Sequence, residues 1–178
     1  MEIIFSDLDL KRWQEADSEF FKTVYDASYY VLYAKLYRMV LDREETEDLL
    51  QDIYMKLYQK RKEYLPQKGS WMAWAYPIAV NHALNFLRRK SLWHKWIKRQ
   101  EVILTKEFEE SDLSFEIRDC LGRLDETQRA ILVLRELEDL SYEQIANILN
   151  LPVGTVRSRL SRARKAFREI YHEEEVSR

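Results

Sequence analysis

One cysteine, three glycines and three prolines are spread over 178 residues. Each shortage removes a class of function. A lone Cys120 forms neither an intramolecular disulfide nor a Cys-rich zinc centre, and it suits a reducing compartment. With glycine only at 69, 122 and 154, no phosphate-cradling loop or dinucleotide fingerprint is built. Scarce glycine and proline also mean few tight turns, which favours long helices. The longest apolar run, Trp71 to Val80, is broken by Pro77 and falls well short of the roughly 20 residues of a membrane span. The first fifteen residues are acidic and lack the basic-then-apolar pattern of an export signal. The expectation is a soluble, cytoplasmic protein without membrane insertion.

A second absence is hidden in a net charge of only −2. Two windows contain no acid at all. Asn81 to Arg99 carries Arg88, Arg89, Lys90, Lys95, Lys98 and Arg99. Leu151 to Arg168 carries Arg157, Arg159, Arg162, Arg164, Lys165 and Arg168. The acids gather instead at 42–52, 107–119 and 169–175. Two basic blocks flanking an acidic stretch point to two nucleic-acid contacts and an acidic connector. Solvated helix faces are the plainer reading, but they suit one such block better than two.

Catalytic constellations are missing too. Glu44, Asp48 and Asp52 recur every fourth residue, but without the Glu-x-x-His partners of a helical di-metal site. His82, His94 and His172 have no ligand spacing. No catalytic residue, metal or cofactor is therefore expected, and Cys120 reads as a boundary or core residue.

What is present is helical periodicity. Phe20, Phe21, Val24, Tyr25, Tyr29, Leu32, Tyr33, Leu36, Tyr37 and Val40 step by threes and fours. A second stripe, from Leu49 to Tyr58, predicts a helix over 44–60. Pro66 and Gly69 mark 62–70 as a loop. A third helix is predicted over 71–89, with Pro77 kinking it or marking where its regular part begins. Residues 90–119 show little apolar order and read as a connector, helical in part. No strand alternation of useful length appears. Beside the loop, Trp71 is the candidate for stacking on an unpaired base, while Trp74 reads as core. Trp93 and Trp96, among lysines and arginines, suit DNA or an interdomain contact.

The C-terminal third is the clearest. Ser141-Tyr142-Glu143-Gln144 is a capping box, in which hydroxyl and amide satisfy each other's backbone N–H groups. Asn150 to Gly154 reads as a break, followed by a last helix over 154–171. Val156, Leu160, Ala163 and Phe167 share one of its faces; Arg157, Ser158, Ser161, Arg162 and Lys165 share the other. This is a helix-turn-helix. A helix fits the major groove, arginine forks pair with guanine O6 and N7, and later cations meet phosphates.

At these residues the sequence resembles the extracytoplasmic-function group of bacterial sigma-70 factors. One block of the match is Asp48-Leu49-Leu50-Gln51-Asp52, then Trp74-Ala75-Tyr76-Pro77-Ile78-Ala79-Val80-Asn81 and Asn85-Phe86-Leu87-Arg88-Arg89. It is similar to region 2 of the family. The other runs from Leu140 to Ala146, then from Leu151 to Leu160 and Arg162-Ala163-Arg164. It is similar to region 4. The two blocks, in this order and at this spacing, cover most of the chain.

The resemblance implies an all-α, two-domain architecture: a helical bundle over 1–91, a linker over 92–118 that is acidic in its second half, and a helix-turn-helix domain over 119–175. It implies an alternative sigma factor, not an enzyme. The partners it implies are core RNA polymerase (β′ coiled coil and β flap), promoter DNA and an anti-sigma factor. Asp48, Leu49, Gln51 and Asp52 match the polymerase-docking helix, where acids facing a basic partner give register. Tyr64, Gln67, Lys68, Ser70 and Trp71 fall where the family captures a flipped −10 base. Asn81, Asn85, Arg88 and Arg89 match the −10 helix, and Thr155, Arg157, Ser158, Ser161, Arg162 and Lys165 the −35 helix. The acidic stretch 107–119 matches the linker that threads the polymerase's RNA-exit path. Pro77 departs from the family's usual basic or long polar residue, and Ser161 is small where several relatives carry a larger side chain. Two rival classes are a dimeric helix-turn-helix regulator, which needs palindromic half-sites, and a small helical enzyme.

Overall fold

The structure is a computed structural model that describes the backbone of residues 5–97 and 113–176, with side chains for 5–92 and 113–173. Among the described residues there are eight α-helices and no strand: α1 Asp7–Gln14, α2 Ser18–Val40, α3 Arg43–Gln59, α4 Trp71–Ile97, α5 Phe115–Arg123, α6 Glu126–Leu132, α7 Tyr142–Leu149 and α8 Val153–Val176. Single 3₁₀ turns at Arg61–Glu63 and Pro66–Lys68 fill the loop before α4, and a π-turn, Val133–Leu137, follows α6. The chain divides into two compact units, one ending at Ala83 and the other starting at Leu84.

Capping explains where most of these helices begin. Ser6, Asp17, Asp42, Ser114, Asp125 and Ser141 each accept a hydrogen bond from an N–H of the first turn of the helix that follows. Asp17 also receives Arg12 Nε at 2.8 Å. That guanidinium, with the Phe20 N–H, holds the Asp17 carboxyl below the usual aspartate range. α1 has no counterpart among the predicted helices, although Ser6 and Asp9 form a full capping box.

In the first unit α2 packs along α3, and α1 packs on α2 and on the Arg61–Glu63 turn. Leu32, Leu36, Met39, Leu50, Ile53 and Leu57 are fully buried. A polar pair, Ser28 Oγ and Tyr54 Oη at 2.7 Å, ties α2 to α3 inside this core. Burial pushes the Tyr54 phenol up, outweighing that bond. Beside it lies an aromatic cluster. Phe5 meets Trp13, Phe20 and Tyr64 edge to face, and Trp13 meets Trp71 and Trp74 in the same way.

In the second unit α5, α6 and α7 each pack on α8. Cys120, Ile131, Val133, Leu134, Ile145, Val156, Leu160 and Ala163 form its core, so Cys120 is a core residue. Both ends of the predicted connector are helical: α4 continues to Ile97 and α5 starts at Phe115. Most of its acidic half, and the side chains of Trp93 and Trp96, lie outside the described residues.

Candidate nucleic-acid interface

The capping box at Ser141 is present as the sequence predicts. Gln144 N donates to Ser141 Oγ at 3.1 Å and Ser141 N donates to Gln144 Oε1 at 2.8 Å. α7 ends at Asn150, whose left-handed backbone (φ 50°) turns the chain. Pro152 O then accepts Thr155 N at 2.9 Å and Val156 N at 3.1 Å, which starts α8. The break is shorter than expected, since Gly154 already lies in the first turn of α8. Val156, Leu160 and Ala163 face the core, whereas Arg157, Ser158, Ser161, Arg162 and Lys165 are exposed and Thr155 is half-buried. The two faces divide as their 3.6-residue spacing requires. Ser158 Oγ donates to Thr155 O at 3.0 Å, which leaves its lone pairs outward.

Charge on α8 is partly internal. Arg164 forks onto Glu136 Oε1 from Nε at 2.9 Å and Nη2 at 2.6 Å, clasping α8 to the π-turn. Arg123 reaches Glu173 at 2.8 Å, and Lys165 lies 3.7 Å from Glu169.

On α4, Asn81, Asn85, Arg88 and Arg89 are all exposed. Positions 77, 81, 85 and 88 step by fours and threes, so Pro77 shares this helix face. α4 runs unbroken through Pro77, and Asn81 Nδ2 donates to Pro77 O at 2.9 Å. The adjoining loop differs from expectation in its aromatics. Tyr64 is 1% exposed and Trp71 0%. Phe5 and Trp13 cover them, so neither ring is presented for stacking, and Trp74 is the indole that stays partly exposed. Gln67 and Lys68 are exposed. Ser70 Oγ accepts Ala73 N at 3.3 Å, capping α4. Tyr64 Oη donates to Gly69 O at 3.3 Å, anchoring the loop from beneath.

On α3, Asp48, Gln51 and Asp52 are exposed, but Leu49 is 2% exposed. Leu49 therefore packs the helix and cannot itself touch a partner. Sequence reasoning missed what continues this face. Phe21, Tyr25, Gln51, Tyr54, Met55 and Tyr58 line an open groove of about 570 Å³ between α2 and α3. Met55 is 63% exposed at its rim. The signal was Met55 four residues after Gln51, an apolar residue on a polar face. Among the described residues no cluster of His, Cys, Asp and Glu is arranged to hold a metal ion, and no helix is long and apolar enough to cross a membrane.

Comparison with known proteins agrees with this geometry. A family model for sigma-70 region 2 matches residues 24–92, and one for sigma-70 region 4 matches 114–167. The chain is 30% identical to the ECF RNA polymerase sigma-E factor of Haemophilus influenzae, over 88% of this chain and 89% of that protein. It is 31% identical to the sigma-E factor of Escherichia coli, over 89% and 90%. Among solved structures it is similar to the sigma factor RpoE in complex with the anti-sigma factor NepR from Bartonella quintana. That match has a TM-score of 0.65 at 25% identity and covers 84% of this chain and 95% of that one. With two helical units, a helix-turn-helix and relatives matched along most of their length, the chain belongs to the extracytoplasmic-function group of sigma-70 factors: it is an alternative sigma factor that promotes transcription initiation by promoter recognition, a regulatory subunit of RNA polymerase and not an enzyme.

Proposed function

We propose that this sigma factor docks on core RNA polymerase through the exposed edge of α3 and reads the −35 and −10 elements with α8 and α4. The observation that carries this reading is the face of α8, where Arg157, Ser158, Ser161 and Arg162 are all exposed on a helix seated by the α7 capping box. Thr155 and Lys165 flank them. In this reading residues 1–91 serve polymerase and the −10 element, 92–118 connect, and 119–175 serve the −35 element and the β flap. Asp48, Gln51 and Asp52 meet the β′ coiled coil. Asn81, Asn85, Arg88 and Arg89 meet −10 DNA, while Gln67, Lys68 and Ser70 surround a flipped base with Tyr64 and Trp71 as its buried support. Work with the polymerase puts the protein in the cytoplasm. Its likeness to a sigma factor solved with an anti-sigma factor supports a partner of that kind here.

Charge reversal tests the docking face. Asp48→Lys with Asp52→Lys should abolish co-elution with core polymerase on gel filtration and leave the thermal midpoint unchanged, because both side chains are exposed. Arg157→Ala with Arg162→Ala should leave co-elution intact and lose −35-dependent transcription. Unchanged transcription from that pair would remove α8 as the reader.

A further inference from the structure

Arg157 does not project alone from α8. Its guanidinium carbon stands 5.7 Å from the centroid of the Tyr142 ring. Arg135 stands 5.3 Å from the same ring. The base of that ring is fixed, because Tyr142 is the first residue of α7, directly after the Ser141 cap. Its surroundings are fixed too. Arg135 Nη1 donates to Leu140 O at 2.8 Å and lies 3.7 Å from Asp139. Arg164, from α8, forks onto Glu136 of the same π-turn. The π-turn, α7 and α8 thus meet around one half-buried tyrosine.

We propose that Tyr142 is a positioning residue, whose ring holds the Arg157 guanidinium at the base-reading end of α8. The proposal rests on the −35 reading above and adds how that arginine is held. The physical reason is the choice of partner. A carboxylate would orient an arginine by consuming its N–H donors. An aromatic ring attracts the cation through its face and leaves the fork of donors unspent. A bidentate contact to guanine needs that fork. An arginine already ordered on the ring also loses less freedom when it meets DNA. Glu143 adds attraction from the same turn. Its carboxyl is held below the usual glutamate range by its own backbone N–H and the Ser141 hydroxyl, with a smaller share from the Arg157 charge.

The test compares the full-length protein with Tyr142→Phe, Tyr142→Met and Arg157→Ala. Each is assembled with core polymerase and assayed on promoter duplexes selected from a library randomised across the −35 region. The quantity read is the preference for the best selected −35 sequence over a scrambled one. Tyr142→Met should lower that preference about two- to fivefold, the strength of one exposed cation–π contact, and Tyr142→Phe should keep it. Arg157→Ala should lower it by about fivefold or more, the size of one base-specific contact. A second readout needs no variant to fold. In the unmodified protein, ¹⁵N relaxation of the Arg157 Nε–H should show a more ordered side chain than Arg162. Loss of preference in Arg157→Ala with none in Tyr142→Met overturns the positioning role, as does an Arg157 Nε as mobile as that of Arg162. No loss in Arg157→Ala overturns the −35 reading itself, a distinct outcome.

Discussion

Two glycines have opposite reasons for being glycine. Gly69 has φ 136° and ψ −178°, a backbone region open to glycine and almost nothing else. A Cβ there would meet Ala73 Cβ at 3.5 Å, so the backbone and not crowding sets the limit. Gly69→Ala is expected to cost about 1–3 kcal/mol. Gly154 is helical, with nothing within 4 Å of an added Cβ. Gly154→Ala should stabilise by about 0.4–1 kcal/mol by restricting the unfolded chain. Urea unfolding of both variants checks the pair. Asp17 supplies a pH-dependent prediction. Its carboxyl is lowered by Arg12 and then by the Phe20 N–H. The stability it contributes is therefore present above the ordinary aspartate pKa and lost as pH falls through the depressed folded value. The gap in melting temperature between the natural protein and Asp17→Asn should be open at neutral pH and close only once the pH falls below the ordinary aspartate range.

α4 shows how an element tolerates a residue that ought to break it. Pro77 lacks the N–H that would bond the Ala73 carbonyl, yet the helix continues to Ile97. Pro77→Ala restores that bond, and calorimetry should show a gain of about 1–3 kcal/mol. Elements also mark what a sequence discloses. The Ser141 box was legible because its partners lie three residues apart, and the two faces of α8 because periodicity is local. α1 was missed although Ser6 and Asp9 carry the same local signal, in a short helix with little apolar stripe. The burial of Tyr64 and Trp71 was not legible. Both adjoin a Pro-Gly loop, which suggests exposure, and the rings that cover them come from Phe5 and Trp13, more than fifty residues away in the chain. The π-turn Val133–Leu137, which presents Arg135 and Glu136, left no pattern to read.

For the whole molecule, charge is sorted by face, so a net charge of −2 conceals two kinds of surface. Acids and an aromatic groove occupy α3; acid-free basic stretches occupy α8 as far as Arg168 and the exposed side of α4. On the proposed reading, in which Arg88, Arg89 and Lys165 meet phosphates, DNA engagement should weaken steeply with salt, and neutralising one of them should lower the slope of log K against log salt by about 0.9. The composition announced this sorting before any helix was placed. How the exposed residues divide among DNA and protein partners depends on those partners. The most direct test is run-off transcription on fragmented host DNA with purified core polymerase, with and without this protein. The account predicts new discrete transcripts whose mapped start sites share two upstream elements, one near −35 and one near −10. No new transcript, together with no co-elution with core polymerase, would contradict it.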